Sequence, residues 1–196
     1  METKKHIRKE ALLKRNQLSL EDRSVFSKKI CETLMAKEFF QKADVILTYL
    51  SYQSEVATDT IINYSLSQGK EVFAPKVIER SDFPYMEFYK VQNMNEIMIG
   101  YKGIREPYSE ENQKFSYEVD AEKKHKRVVM IMPGVAFSKD RVRIGYGKGF
   151  YDYYLSQKIQ IYTVAFSYEC QIYHNIQSEE YDMKPYEIIT ECREFS

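Results

Sequence analysis

The residues best suited to chemistry lie in the stretch RIGYGKGFYDYYL, residues 143–155. Three of the seven glycines in the chain stand there at alternate positions: Gly145, Gly147 and Gly149. Glycine lets the backbone adopt positive φ and approach a ligand closely, and free N–H groups at a helix start attract anions. Because Arg143 and Lys148 add fixed positive charge, this glycine loop is typical of a site that binds phosphate groups.

Two familiar phosphate-binding motifs do not fit the glycine loop. A P-loop carries Ser or Thr after its lysine to hold Mg²⁺, whereas Lys148 is followed by Gly149. The dinucleotide fingerprint has the spacing G-x-G-x-x-G, whereas the spacing here is G-x-G-x-G. Two interpretations therefore stand: a phosphate cradle of another kind, or a tight strand-to-helix turn that needs glycine for steric reasons alone.

Asp152 follows the glycines in the first turn of a predicted helix. Nucleotide phosphates usually arrive with Mg²⁺, which prefers carboxylate and water ligands. A carboxylate in a first helical turn also interacts favourably with the helix dipole. The spacing fits both roles of Asp152 equally well.

The glycine loop lies between two predicted elements. It follows RVVMIMPG (residues 127–134), the strongest buried-strand pattern in the chain, and precedes a helix from about Phe150 to Gln157. Ligands of α/β sheets bind beyond the carboxyl ends of the strands, so the position suits a binding loop. Other buried or half-buried strands are predicted at residues 44–50, 71–75, 86–91, 161–166 and 187–191.

Helical patterns alternate with these strands. One helix is predicted over residues 3–18, a second after a Ser19 cap, and a third from Thr58 or Asp59 to Gly69. The alternation predicts an α/β fold: a single domain over residues 1–196 whose largely parallel sheet has helices on both faces, a three-layer α/β/α arrangement. Residues 93–126 are polar and irregular, and we expect a surface excursion there.

Composition excludes several classes of function. The 29 basic and 29 acidic residues balance, which argues against a nucleic-acid partner. No apolar run is long enough to span a membrane, and the charged N-terminus lacks the apolar core of a signal peptide. The three cysteines are far apart, which is typical of reduced thiols, so we expect a cytoplasmic protein.

The segment MPGVAFSKDRVRIGYGKGFYDYYL (residues 132–155) resembles the signature of the 5-formyltetrahydrofolate cyclo-ligase, or methenyltetrahydrofolate synthetase, family. That signature is Pro-Gly, an apolar run, and Arg-Leu-Gly-x-Gly-x-Gly-Tyr-Tyr-Asp, with Ile144 and Phe150 as mild departures here. The resemblance covers almost the whole chain, in the right order, through KKHIRKEALLKRNQLSLEDR, YLSYQSEVATDTII, GKEVFAPKV, GIREP and YDMKPYEIITE.

The resemblance implies an enzyme that converts 5-formyltetrahydrofolate to 5,10-methenyltetrahydrofolate, with ATP as co-substrate and Mg²⁺ as cofactor. It implies ATP contacts at Lys4, Lys5, His6, Ile7, Arg8, Arg143, Ile144, Gly145, Tyr146, Gly147, Lys148, Gly149, Phe150 and Tyr151. It implies folate contacts at Leu50, Glu55, Tyr146, Gly147, Lys148, Gly149 and Phe150. It implies catalytic charges at Arg143 and Lys148, and magnesium ligands at Asp152 and Asp182.

Simpler interpretations of some of these residues remain open. Lys4 and Arg8, one helical turn apart, also fit a solvated helix face. Glu55 also fits a loop carboxylate, and Asp182 a turn residue. The alternative function is a non-catalytic module that binds nucleotide or folate and regulates another process. As partners we expect small-molecule substrates only, with the chain a monomer or a weak homodimer.

Overall fold

The computed structural model of the chain describes residues 3–79, 84–108, 110, 113–122, 125–157 and 161–196. Its α-helices are α1 (Lys4–Gln17), α2 (Leu20–Met35), α3 (Glu38–Gln41), α4 (Asp59–Ser67) and α5 (Phe150–Leu155). Its strands are β1 (Val45–Thr48), β2 (Glu71–Ile78), β3 (Tyr85–Val91), β4 (Ile97–Ile99), β5 (Arg105–Pro107), β6 (Val128–Met132), β7 (Ala136–Ser138), β8 (Arg143–Ile144), β9 (Tyr162–Phe166), β10 (Ile172–Tyr173), β11 (Glu187–Ile189) and β12 (Glu194–Phe195).

The main sheet has the strand order β12-β11-β9-β6-β1-β2-β3 among the described residues. Its five inner strands are parallel to one another, and β12 and β3 run antiparallel at the two edges. All four residues of β1 and all five of β6 are buried, as expected of inner strands covered on both faces. The predicted α/β fold with a largely parallel sheet is confirmed.

Helices cover both faces of the main sheet. On one face, α2 and α4 bury side chains such as Ile30 and Ile61 against Ile46 of β1. On the other face, α5 buries Tyr154 and Leu155 in the cluster that contains Leu47. Since neighbouring residues of β1 point to opposite faces, the short apolar strand supports both layers. The predicted three-layer arrangement is therefore present.

Helix α1 packs apart from the main sheet, against a small sheet of the order β10-β7-β8. Its Ile7 and Ala11 lie in a third apolar cluster together with Val135 and Ile144. This contact holds one face of α1 against the strand that leads into the glycine loop. None of the helices in the described part of the chain is long and apolar enough to cross a membrane.

The described part of residues 93–126 is more regular than expected, which corrects the prediction of an irregular excursion. Strands β4 and β5 form an antiparallel hairpin around a turn at residues 100–103. A Cβ at Gly100 would lie 2.0 Å from Oε2 of Glu106, so a larger residue would displace that side chain, and Gly103 has a φ of +79°. Strands of three residues are too short to show a periodic pattern, and this hid the hairpin in the sequence.

Candidate active site

A cavity of about 610 Å³ opens at the carboxyl ends of the central strands. Leu50 beyond β1, Pro133 beyond β6 and Val77 near the end of β2 contribute to its wall, as does the glycine loop. Helix α1 and the β4–β5 hairpin close two further sides through Arg8 and Tyr101. The cavity thus lies where binding sites of parallel α/β sheets are expected.

The glycine loop forms one wall of the cavity with an unusual backbone. Gly147 has a φ of +92°, and Gly149, which precedes α5, has a φ of +68°. A Cβ on Gly147 would lie 3.6 Å from the Arg8 guanidinium, an ordinary contact distance, so its positive φ rather than lack of space is what favours glycine there. Both glycines therefore serve a backbone conformation that other residues adopt only with strain. Lys148, between them, is exposed and lines the cavity.

Two cations of α1 face the cavity instead of forming a solvated helix face. Nζ of Lys4 lies 2.7 Å from Oδ2 of Asp182 and 3.1 Å from Oε1 of Glu179. Nε of Arg8 donates a hydrogen bond of 2.8 Å to the carbonyl oxygen of Gly145. Burial acts to lower the pKa of Lys4, but its hydrogen bonds to Asp182 and Glu179 outweigh burial and raise that pKa.

The two acidic residues implied as magnesium ligands belong to one connected group of charged side chains in the cavity wall, which we call its charged end. Nη2 of Arg143 is 3.0 Å from each carboxylate oxygen of Asp152, and the N–H of Met183 donates to Asp152 Oδ1 over 3.0 Å. Because Met183 follows Asp182 directly, the two carboxylates lie on neighbouring segments. Within the described residues no cluster of three metal-binding side chains occurs.

A second part of the cavity wall, which we call its less charged end, contains Glu55. Leu50, 3% exposed, and the half-buried Glu55 both contribute to the wall. The N–H of Tyr52 donates to Oε2 of Glu55 over 2.9 Å. Burial raises the pKa of Glu55, while the Tyr52 N–H, the charge of Arg15 and the hydroxyl of Tyr146 act to lower it.

Tyr146 connects the two ends of the cavity. Its ring is 44% exposed and lines the cavity, whereas its hydroxyl accepts a hydrogen bond of 2.7 Å from Nη2 of Arg15. Burial, followed by the charge of Glu55, raises the pKa of the Tyr146 hydroxyl to about 12. The ring is thus presented to a ligand with its hydroxyl anchored behind it.

Most of the predicted site residues meet in this cavity. Those that line it are Lys4, Arg8, Leu50, Glu55, Arg143, Ile144, Gly145, Tyr146, Gly147, Lys148, Gly149, Phe150, Tyr151, Asp152 and Asp182. Lys5, His6 and Ile7 do not line it. Lys5 and His6 are exposed, and Ile7 is buried in the cluster that holds α1 in place. Lys4 and Arg8 are four positions apart and so lie on one side of the helix. The three residues between them point to its other faces and therefore do not line the cavity.

Several cavity residues were not expected from the sequence. The β4–β5 hairpin and its turn supply five of them: Tyr101, Lys102, Ile104, Arg105 and Glu106. The paired glycines at 100 and 103, three residues apart in a polar stretch, were the available signal of a tight turn. Glu179 also pairs with Lys4, beside Asp182. Nothing in the sequence indicated this role, because Glu179 belongs to an acidic segment of the kind common at protein surfaces.

Comparisons with known proteins agree with this arrangement. Residues 1–191 match the sequence model of the 5-formyltetrahydrofolate cyclo-ligase family. The 5-formyltetrahydrofolate cyclo-ligase of Mus musculus is 30% identical, covering 96% of this chain and 93% of its own length. An NMR structure of the 5,10-methenyltetrahydrofolate synthetase of Aquifex aeolicus superimposes with a TM-score of 0.80 at 27% identity, covering 98% of this chain and 91% of that one.

A second solved structure supports the fold alone. The 5,10-methenyltetrahydrofolate synthetase of Mycoplasma pneumoniae superimposes with a TM-score of 0.73 at 23% identity. The alignment covers 97% of this chain and 99% of that chain. The same α/β architecture therefore extends over nearly the full length of both chains.

Proposed function

The chain belongs to the 5-formyltetrahydrofolate cyclo-ligase family, and we propose that it uses ATP and Mg²⁺ to convert 5-formyltetrahydrofolate to 5,10-methenyltetrahydrofolate, ADP and phosphate. The observation that carries the proposal is one cavity with two different ends. Its charged end brings together the glycine loop, Lys4, Arg8 and two carboxylates, whereas Glu55 and Leu50 line its less charged end. Two substrates that must react with each other need such a shared site.

The charged end suits the phosphates of ATP. Lys148 stands between glycines whose backbone allows close approach, and Arg8 lies against the same loop. Guanidinium and ammonium groups bind phosphate oxygens through charge-assisted hydrogen bonds. We assign Arg143 and Lys148 to the charge that develops on the transferring phosphoryl group, where fixed cations lower the barrier most.

The less charged end suits the pterin ring of the folate. A carboxylate is a good acceptor for the amino and ring N–H groups of a pterin. Glu55, a few residues after Leu50, supplies the carboxylate at this end. The exposed ring of Tyr146 offers an aromatic face between the two ends. In the proposed arrangement the N5-formyl group of the folate points towards the glycine loop.

The proposed reaction proceeds in two steps. The formyl oxygen attacks the γ-phosphorus of ATP, the bond from that phosphorus to the bridging oxygen breaks, and ADP leaves. N10 of the folate then attacks the formyl carbon of the resulting iminium phosphate and loses its proton, and the carbon–oxygen bond breaks with release of phosphate. Phosphorylation is required because a formyl group on nitrogen is an amide and reacts poorly with nucleophiles.

Asp152 and Asp182 fit Mg²⁺, since a nucleotide-bound magnesium ion takes one or two protein carboxylates and completes its shell with phosphate oxygens and water. When bound, the ion would neutralise phosphate charge. Arg143 pairs with Asp152 and Lys4 pairs with Asp182 at the cavity wall.

The direct test mixes the protein with 5-formyltetrahydrofolate, ATP and Mg²⁺ and follows the near-ultraviolet absorbance of the methenyl product. We expect product only when all three are present. If well-folded protein forms none, the proposal is wrong, and a regulatory module that only binds these ligands becomes the better account.

A further inference from the structure

Arg15 is a buried cation beside the cavity but not in its wall. It lies in the last turn of α1 and is 1% exposed. A buried charge is costly unless hydrogen bonds compensate for its lost water, so its burial calls for specific partners. Lys4, Arg8 and Arg15 share one side of α1, and the first two already face the cavity.

The guanidinium of Arg15 joins three segments that build the site. Its Nε donates to Oγ of Ser54 over 2.9 Å, and its Nη2 donates to the hydroxyl of Tyr146 over 2.7 Å. Its Nη1 lies 3.4 Å from the carbonyl oxygen of Gly134, beyond the end of β6. Ser54 in turn donates to Oδ1 of Asn16, the next residue on α1.

These contacts place Arg15 behind the less charged end of the cavity. Ser54 directly precedes Glu55, so the loop that carries the carboxylate is held at its neighbouring residue. The Tyr146 hydroxyl, which accepts from Arg15, acts on the Glu55 carboxylate as a hydrogen-bond donor. The charged group that acts on Glu55 is Arg15. The neutral phenols of Tyr49, Tyr146 and Tyr151 are the titratable groups that also interact with it.

We propose that Arg15 is a positioning residue for the folate: its guanidinium fixes the hydroxyl of Tyr146 and the loop before Glu55, so that ring and carboxylate meet the folate in one arrangement. The inference rests on the proposed function. Arg15 acts through Tyr146 and the Ser54 loop rather than by touching either substrate. Its planar fork serves three acceptors in different directions, which a lysine ammonium on a flexible stem does not reproduce.

A purely structural role for Arg15 would affect both substrates alike. A positioning role at one end of the cavity affects the folate selectively. We therefore compare KM for 5-formyltetrahydrofolate with KM for ATP in Arg15→Lys, in Tyr146→Phe and in the double variant. Lys9→Met is the control, because Lys9 is an exposed cation of the same helix outside the cavity wall.

Each single variant is expected to raise KM for the folate on the order of tenfold, as for loss of a hydrogen bond to a charged group, with little change in KM for ATP. The double variant is expected to show less than the product of the two single effects, since both variants remove the same Arg15–Tyr146 contact. Multiplied effects in the double variant, or equal rises in both KM values, would overturn the proposal.

Two further measurements keep the outcome decisive. If Arg15→Lys does not fold, Tyr146→Phe removes one oxygen from a half-exposed residue, and an unchanged folate KM in that variant contradicts the proposal. If the wild-type protein forms no product, calorimetric titration with 5-formyltetrahydrofolate alone tests Arg15 separately from catalysis. Equal folate affinity in wild type and both variants, or no folate binding by the wild type, overturns the inference.

Discussion

Lys148 is the cavity residue whose environment most clearly suits a role in catalysis. It is exposed in the glycine loop, and the glycines on either side of it have positive φ. The conformation of the loop backbone, rather than packing of the Lys148 side chain, therefore positions the ammonium group. A cation in this position meets a phosphoryl group without first breaking a buried contact.

We expect Lys148→Ala to lower kcat on the order of 100-fold, because one fixed charge that stabilises the transition state is lost. Steady-state rates of methenyl formation at saturating ATP and folate measure the effect. Lys139→Ala, which removes an exposed lysine from the turn before β8, is the matched control and should be unaffected. Near-normal turnover in Lys148→Ala would remove Lys148 from the mechanism.

Glu55 differs from Lys148, because burial opposes ionisation of its carboxyl group. Burial raises its pKa above the usual value, so the folded protein binds the proton more tightly than the unfolded chain does. The stability from this group is present at pH values below its unfolded pKa and is lost as pH rises through its folded pKa. Once ionised, Glu55 therefore destabilises the fold relative to a neutral side chain.

We expect Glu55→Gln to raise KM for 5-formyltetrahydrofolate on the order of tenfold and to leave KM for ATP unchanged. The melting temperature at pH 7 should be no lower than that of the wild type, because the variant removes a carboxyl group whose ionisation burial opposes. A lower melting temperature together with equal losses for both substrates would instead indicate that Glu55 serves the fold.

At the scale of elements, α1 links the parts of the site. Its buried residues Ile7 and Ala11 hold it against β7 and β8, while its basic stripe contacts the C-terminal loop through Lys4, the glycine loop through Arg8 and the Glu55 loop through Arg15. One helix thus fixes the relative positions of three loops. The 3.6-residue period relates Lys4, Arg8 and Arg15 to one side of a helix, but their partners come from distant segments that local sequence does not reveal.

The contact between α1 and the glycine loop leads to a prediction for ATP. Arg8→Ala removes the 2.8 Å hydrogen bond to the Gly145 carbonyl and a cation beside the loop. We expect KM for ATP to rise on the order of tenfold with KM for the folate little changed, the reverse of the Glu55 variant. Lys9→Ala, the next residue on an exposed face, is the control. Equal changes in both KM values would show that α1 has shifted as a whole.

The strands and helices were largely predictable, whereas the β4–β5 hairpin was not. Buried inner strands such as β6 have continuous apolar runs, which are visible in the sequence. The hairpin depends on tertiary contacts. The Glu106 carboxylate lies close to Gly100 and 3.4 Å from the Val77 N–H. Such long-range contacts leave only a weak trace in local sequence, which is why Tyr101 and Glu106 were missed as cavity residues.

At the scale of the whole molecule, the charged end of the cavity joins distant parts of the chain. Lys4 lies at the start of α1, Asp152 in α5, and Asp182 in the loop before β11. The Lys4–Asp182 pair and the Met183–Asp152 hydrogen bond connect these segments around one opening. The resemblance to a known family suggested this set of residues, since nothing in local spacing relates position 4 to position 182.

We expect Asp182→Asn to raise the Mg²⁺ concentration for half-maximal activity on the order of tenfold, because a carboxylate ligand loses its charge. Electron paramagnetic resonance of Mn²⁺ bound with ADP provides a readout that does not depend on turnover. Glu180→Gln changes an exposed carboxylate of the same loop outside the cavity wall and serves as the control. Unchanged Mn²⁺ affinity in Asp182→Asn would assign Asp182 to the Lys4 pair alone.

The central claim is that the shared cavity lets the formyl oxygen attack ATP directly. The most direct measurement uses 5-formyltetrahydrofolate labelled with ¹⁸O in the formyl group, with ATP and Mg²⁺, and analyses the released phosphate by mass spectrometry. Transfer through an iminium phosphate predicts one ¹⁸O atom in each phosphate formed with the methenyl product. Unlabelled phosphate, with the label lost to water, would contradict the account, because ATP would then be hydrolysed without phosphorylating the folate.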